Sequence, residues 1–456
     1  MTLSMKRGAN LKRIATALAA ALAAGCGSST QPKTVVPNPN LPVGLPTPAA
    51  AGPVNTYDGG QSPGAWTFTL DNTKGAFSYQ PTTFPAAAAS GTLQSSGGFS
   101  VLSDGSLAYE VLGRAAVLRP GGNPGTRVFA VPQTSCYAIT GKQRFQYIAL
   151  FPGALTNGPD LSSSGPFLGY GSVVASTDST GKAWQFDNLL GGAWNSLGTT
   201  VSGPALFAGT CAAANGQASI SFPSTTLMDE FWAPDSKITS PAPSTTQSSI
   251  WIGPSGFFAA DQSDPASQGS PTGLAGASIA GMAEPSSTLS TSAMAAGQYL
   301  GFVYEAPNPN GYANNTTGVL QGSNPPAFTA PVGFGQVVAG SGTTLTGGIF
   351  PNDAVTGTPN ADTQITLGTE DATYNGLYTS VKVTVLDPAQ NCANFSGSQF
   401  TIPVTSSINA QGYITCTFPG VAVAGNPDGK YAIFVSTYNW AVTFGGQPME
   451  FFLFQQ

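Results

Sequence analysis

There is no histidine anywhere in the chain. Its absence removes the usual proton shuttle of neutral pH, and with it Ser-His-Asp and Cys-His catalysis. Charge is scarce as well. Only 8% of the residues are Asp, Glu, Lys or Arg, against roughly 25% in ordinary soluble proteins. The balance is acidic: 21 Asp and Glu face 15 Lys and Arg, for a net charge of −6. Four of those cations lie in residues 1–25, which hold no acid, so the remainder carries 11 against 21, a net of −10. A nucleic-acid binder would present a basic face, so nucleic acid is not an expected partner. Sustained 3.6-residue periodicity is also missing. Thr226–Trp232 could make one or two helical turns, and Gly273–Ala283 is small and broken by glycine. No G-x-S-x-G elbow occurs. No Walker A loop occurs either: the Gly425–Lys430 gap is too short, and Tyr431 stands where Ser or Thr is needed. With no C-x-x-C spacing and no histidine, no metal or other cofactor is expected.

What the chain has instead is glycine, 57 residues of it, with abundant Ser, Thr, Asn and Gln. Short apolar runs follow glycine turns along its length. Asp71-Asn72-Thr73-Lys74-Gly75 precedes Ala76–Tyr79, and Asp104-Gly105 precedes Leu107–Val111. Asn215-Gly216 precedes Ala218–Phe222, Gln411-Gly412 precedes Tyr413–Phe418, and Asp428-Gly429 precedes Lys430–Val435. Asn-Gly and Asp-Gly between alternating runs are strong hairpin signals, because glycine reaches positive φ without steric cost. The expected fold is all-β: tandem antiparallel meander modules of sandwich or barrel type, with a β-propeller as the alternative. A signal helix and a disordered proline-rich linker would precede them.

Weak internal echoes set the module count. Gln146–Phe151 recurs as Gln298–Val303, and Gly169–Ser176 as Gly333–Gly340. Gln447–Phe454 reads as a third copy of the first element, and as a central or closing strand. Ala65-Trp66-Thr67-Phe68 is echoed by Ala183-Trp184-Gln185-Phe186, each shortly before Asp-Asn, which suggests matching repeat positions. The organisation expected is a signal segment over 1–25, a linker over 26–56, and β-modules over 57–180, 181–345 and 346–456. Seven prolines between Pro32 and Pro53 mark the linker. Such a segment favours polyproline II at ~3.1 Å per residue, enough for a reach of roughly 90 Å.

Few residues offer chemistry. Asp229 and Glu230, beside Met228, Phe231, Trp232 and Asp235, are the one carboxylate pair among aromatics. Sugar-cleaving sites use two carboxyls about 5–9.5 Å apart, but neighbours on a strand point to opposite faces. A solvent-exposed turn is the plainer reading. Arg114, Arg119, Arg127, Lys142 and Arg144 supply five of the 11 cations outside residues 1–25. Sharing one face, they would suit an anionic partner such as a glycan or lipid headgroups; otherwise they pair structurally with Asp104 and Glu110 or pack over strands. The six tryptophans, Trp66, Trp184, Trp194, Trp232, Trp251 and Trp440, are expected mostly in the core. Besides Cys26, four cysteines remain. The preferred pairing is Cys392–Cys416, with Cys136–Cys211 as the second.

The N-terminus carries the one specific motif. Lys6, Arg7, Lys12 and Arg13 precede an uncharged run from Ile14 to Ala24, and Ala23-Ala24-Gly25 leads into Cys26. The run is too short to span a bilayer. This end resembles a bacterial lipoprotein signal with its lipobox, although Leu22 lies one place earlier than the preferred leucine. The resemblance implies cleavage before Cys26 and acylation of it, and attachment to membrane lipid. With no aspartate among Gly27 and Ser28, it implies the outer membrane rather than inner-membrane retention. The rest is similar in style to the uncharacterised β-rich envelope lipoproteins of proteobacteria. The expected function is a non-catalytic binding or scaffolding role at the cell envelope, with glycan or envelope protein as partner. The alternatives are a carboxylate-based glycan hydrolase and a subunit of an outer-membrane assembly.

Overall fold

In the computed structural model the described residues are 52–61, 64–81, 88–96, 98–119, 127–151, 167–193, 206–212, 217–222, 246–263, 278–290, 294, 298–305, 333–339, 344–349, 363–386, 405–408, 414–427, 429–437 and 449–455. The expected signal helix and nearly all of the expected linker fall outside them. Strands account for almost all of the secondary structure, and every pairing between them is antiparallel.

The first barrel is a simple meander closed on itself. It comprises β1 (Val54–Gln61), β2 (Gly64–Asp71), β3 (Ala76–Pro81), β4 (Ala89–Ser96), β5 (Phe99–Leu102), β6 (Leu107–Val111), β7 (Ala115–Arg119) and β8 (Val128–Pro132). Closure comes from β1 against β8, with Tyr57 opposite Pro132. The second barrel repeats the plan with β9 (Gln143–Phe151), β10 (Phe167–Thr177), β11 (Ala183–Ala193), β12 (Leu206–Ala212), β13 (Gln217–Phe222), β14 (Thr246–Ile252), β15 (Phe257–Ser263) and β16 (Ser278–Ala283). A third set contains β17 (Gln298–Glu305), β18 (Gly333–Ala339), β19 (Thr344–Ile349), β20 (Thr363–Thr366), β21 (Leu377–Leu386), β22 (Thr405–Ile408), β23 (Ile414–Gly425), β24 (Ala432–Thr437) and β25 (Met449–Gln455). Here β21 pairs with β23, which closes eight strands into a ring and leaves β22 beside the first residues of β23.

The sandwich and propeller readings therefore give way to barrels, and the expected divisions at 180/181 and 345/346 are corrected. The first falls in the β10–β11 turn and the second inside β19. Local strand grammar reads the same within a barrel as between barrels, and only the long-range closing pairs show where one ends. The linker also ends early, since β1 begins at Val54. Gly273–Ala283 supplies strand β16 at its end rather than helix.

The echoes have a topological meaning. Gln146–Phe151 and Gln298–Val303 lie on the first strands of the second and third barrels, and Gly169–Ser176 and Gly333–Ala339 on their second strands. The registers differ by two residues: Gly171 faces Tyr147, whereas Gly335 faces Gly301. A two-residue offset keeps every side chain on its face. Gln447–Phe454 is not a third first strand; it overlaps β25, which closes its ring between β17 and β24. Trp66 sits on a second strand and Trp184 on a third, so their positions do not match.

Alternation fills the barrels. Tyr57, Trp66, Phe68, Leu70, Phe77 and Leu118 form the interior of the first, and Ile365, Val383, Val435, Phe451 and Leu453 belong to that of the third. The outward Ser78, Gln80, Thr92 and Gln94 of the first barrel are exposed, as are Thr346, Gln364 and Lys382 of the third. An apolar inside with a polar outside is the reverse of a membrane-spanning barrel.

Even strand number puts each barrel's start and finish at the same end. At this near end the strands of the second and third barrels are joined by connections of four to ten residues: 178–182, 213–216, 253–256, 340–343, 367–376 and 426–431. At the far end they are joined through 152–166, 194–205, 223–245, 264–277, 306–332, 350–362, 387–404 and 438–448, apart from the small β22–β23 hairpin.

Candidate functional site

The basic cluster is the natural place to look for a site, and its residues turn out to be structural. Arg127, just before β8, is 1% exposed. Its Nε and Nη2 donate to the Glu450 carboxylate at 2.5 and 2.7 Å, and Nη1 donates to Ser278 Oγ at 2.6 Å. Ser278 Oγ in turn donates to the Gly60 carbonyl at 2.9 Å. The guanidinium also lies 5.0 Å from the centre of the Phe452 ring. One arginine thus ties residues of all three barrels. Glu450 has no exposed surface, so the pair is fully desolvated.

Arg114 makes a second tie at the near end. It lies in the β6–β7 turn, where its Nη2 donates to the Lys430 carbonyl at 3.1 Å. Its guanidinium stacks 5.4 Å from Phe257 and 6.0 Å from Phe454. Ser255 Oγ donates to the Arg114 carbonyl at 2.9 Å. Arg144, at the start of β9, pairs with Glu284 at 3.0 Å and faces Tyr374 of the third barrel. Between these ties the barrels meet through aromatic rings. Phe129 of β8 stacks on Phe452 at 5.6 Å and meets Phe434 edge-on at 5.0 Å, and Phe257 of β15 stacks on Phe434 at 5.9 Å. Such pairs are worth about 0.5–1.5 kcal/mol each beyond their buried area.

The expected positive patch is therefore corrected. Arg114 and Arg127 are buried, Arg144 is half-buried against Glu284, and only Lys142 is fully exposed; Arg119 is half-buried at the end of β7. Arg114 and Arg127 project into the seams between barrels, where a ligand has no access, and Arg144 is engaged by Glu284 at the edge of one. Their partners are also other than expected. Asp104 accepts from Tyr79 Oη at 2.6 Å and from Ser106, and these bonds, working against burial, hold its carboxyl below the usual range. Glu110 accepts from Tyr57 Oη and from Asn72 Nδ2, both at 2.7 Å, inside the first barrel. Burial, with the Glu110 charge beside it, pushes the Tyr57 hydroxyl well above its ordinary pKa.

A second buried acid, like Glu110, is held by uncharged donors. Asp58 on β1 is 1% exposed and faces out from the first barrel. Thr67 Oγ1 and Gln133 Nε2 donate to it at 2.6 and 3.0 Å. Desolvation outweighs these two bonds and raises its pKa.

The segments that lead from barrel to barrel close the near ends. Gln133–Lys142 crosses the second barrel: Tyr137 Oη donates to the Ile252 carbonyl at 2.6 Å, its ring meets Trp184 edge-on at 6.0 Å, and Ile139 is buried. Cys136 is joined to Cys211 of β12 by a disulfide. Glu284–Ser290 and Met294 do the same for the third barrel, setting Leu289 and Met294 into its core. Glu370 accepts from the Leu289 amide at 3.1 Å and from the Gly376 amide at 2.5 Å, although desolvation still raises its pKa.

Cys26, Asp229, Glu230, Asp235 and Cys392 lie outside the described residues. Cys416 is placed only as a backbone position on β23, opposite Val385 and Ser406. Trp66, Trp184 and Trp251 are buried, while Trp194, Trp232 and Trp440 lie outside the described residues. Among the described residues, no group of three or more Cys, Asp or Glu could hold a metal ion, and no helix is long and apolar enough to cross a membrane. Glu450 and Glu284 were not singled out from sequence. A signal existed for Glu450, a lone carboxylate in the otherwise apolar run Met449–Phe454.

No protein-family model and no curated protein matches the chain. Among solved structures it is similar to Transferrin Binding Protein B from Haemophilus parasuis Hp5. A double mutant of that vaccine antigen shares 9% identity, with 92% of this chain and 78% of that chain covered and a TM-score of 0.24. A single mutant of the same antigen gives 8% identity over the same shares, with a TM-score of 0.23. Intact Ap-TbpB, with its N and C lobes, gives 10% identity over the same shares, with a TM-score of 0.23.

Proposed function

We propose that this chain is a lipid-anchored, non-catalytic binding protein of the bacterial cell envelope. In this reading Cys26 carries the acyl chains, the proline-rich linker is the stalk, and the barrels are the head. Two or three acyl chains hold a protein at a membrane where one holds only marginally. The absence of an aspartate after Cys26 favours the outer membrane. The polar outer faces of the barrels suit a head that stands in water on that stalk.

The observation that carries the binding role is the unequal length of the connections at the two ends of the second and third barrels. Connections longer than about 12–15 residues are uncommon in compact domains and are usually either functional or linker segments, and a rigid scaffold that presents functional loops is the common plan of binding proteins. Trp194, Trp232 and Trp440 all belong to far-end connections, whereas the tryptophans on strands are buried. The far end is therefore the end we assign to the partner, a glycan or an envelope protein.

The test is a photo-crosslinking amino acid placed at Trp232 or Trp440 in the full chain in cells, with Gln80 on the first barrel as the control site. Adducts of one defined mass from the far-end positions and none from Gln80 support the reading. Adducts from Gln80 alone, or from all three alike, contradict it. A hydrolase at Asp229 and Glu230 would instead release reducing ends from envelope polysaccharide, and Glu230→Gln would stop that release.

A further inference from the structure

We infer that the Cys136–Cys211 disulfide is a redox latch that sets whether the near end of the second barrel is closed. The latch has three parts. The first is the strap itself. It leaves β8, bonds the Gln133 amide to the Thr56 carbonyl at 2.8 Å, crosses the barrel mouth and enters β9. The second is what the strap covers. Tyr137 and Ile139 pack on the apolar cluster that contains Trp184 and Phe186, and the Ile139 amide donates to Thr177 Oγ1 at 2.8 Å. The β10–β11 turn is shaped to receive it: Gly181 has φ +69°, and a Cβ there would overlap the Tyr137 carbonyl group. The third is the pin. Cys136 lies four residues beyond the end of β8 at Pro132, so the disulfide shortens the free chain between the barrels to that stretch.

The other strap shows what such a closure needs without a disulfide. Over the third barrel, Leu289 and Met294 are both buried in the core and Glu370 holds the Leu289 amide. Over the second barrel, Ile139 is buried but Tyr137 is only partly so, and no carboxylate bond to the strap is present at Tyr137 or Ile139 among the described contacts. The covalent bond stands where the third barrel uses packing and a carboxylate. Both cysteines are half-buried, within reach of a small dithiol.

The chemistry is thiol–disulfide exchange with a dithiol. One thiolate of the reagent attacks a sulfur of the pair, the S–S bond breaks, and the other cysteine leaves as thiolate and takes a proton. The reagent's second thiol then displaces the first cysteine and closes the reagent's own disulfide. Two cysteine thiols are formed and the dithiol is oxidised by two electrons.

Hydrogen exchange read by mass spectrometry on the full chain, with and without dithiothreitol, tests this. In the reduced protein, peptides spanning 133–142 and 178–184 should exchange at least tenfold faster, while those from β6–β8 and β23–β25 keep their rates. Replacing the dithiol with oxidised glutathione, which accepts the two electrons as the Cys136–Cys211 bond re-forms, should restore the slow rates. The double variant Cys136→Ser/Cys211→Ser should show the fast rates with and without reductant, which separates this bond from any other disulfide. Unchanged strap rates on reduction would overturn the inference, and so would acceleration of every peptide alike. If the double variant does not fold, reduction and reoxidation of the wild type still decides.

Discussion

Replacing Arg127 with Met should be among the most damaging single changes in the molecule. It would leave the Glu450 carboxylate, with no exposed surface, without its cation. Removing one partner of a buried ion pair costs about 3–5 kcal/mol, mostly because the surviving charge stays desolvated. Glu450→Met should cost less, because the guanidinium keeps its bond to Ser278 Oγ at 2.6 Å and the Phe452 face. Changing both to Met removes both charges from an apolar seam, and such replacements are often neutral or stabilising by 1–4 kcal/mol. The cycle should therefore return a coupling of about 3 kcal/mol or more, where an exposed pair gives about 0–1 kcal/mol. Urea unfolding of the four chains measures it, followed by tryptophan fluorescence, since Trp66 reports the first barrel and Trp184 and Trp251 the second. A cost under about 1 kcal/mol for Arg127→Met would mean that the pair is solvated and that the barrels are not joined through it.

Other outcomes follow from individual groups. Because burial raises the Asp58 pKa, its contribution to stability is full below the unfolded-state value and is lost as pH rises through the folded-state value. Asp58→Asn should therefore stabilise the protein at pH 7, with the gain vanishing in acid; thermal melts across pH 3–8 check it, and a gain that grows in acid would reverse the assignment. Loss of the Cys136–Cys211 bond, whose ends lie 75 residues apart, should destabilise the chain by up to about 4.5 kcal/mol in the chain-entropy account, as read by urea unfolding of the double serine variant. Cys392 belongs to the connection between β21 and β22, and Cys416 lies opposite both strands. Peptide mapping without reductant should find the two joined, and alkylated thiols at both positions would exclude the bond.

Much of the fold was legible because it is local. Gly75 and Gly105 both take positive φ at turns that Asp71 and Asp104 before them announce, and the strands follow where alternation puts them. Closure was not legible. Nothing in Tyr57 or Pro132 alone says that they face each other across a barrel seam. The basic cluster misled for a similar reason. Arg114, Arg127 and Arg144 are close in sequence, but the residues that neutralise or cover them, Glu450, Glu284 and Phe454, are far along the chain. Sequence proximity showed that the cations gather; only the packing of three barrels showed why. Cys136–Cys211 was legible as a pair, but its strap was not, because the strap's meaning depends on which barrel mouth it crosses.

Acylation of Cys26 is the premise of the proposed function, since a stalk and a head with a binding end make sense on an anchored chain. The direct measurement is labelled-palmitate incorporation in cells expressing the wild type or Cys26→Ser. The wild type should take up label and run at the size of the processed chain, and the variant should remain an unlabelled precursor about 25 residues longer, the length of the segment before Cys26. Label and normal processing in the variant would contradict the central claim.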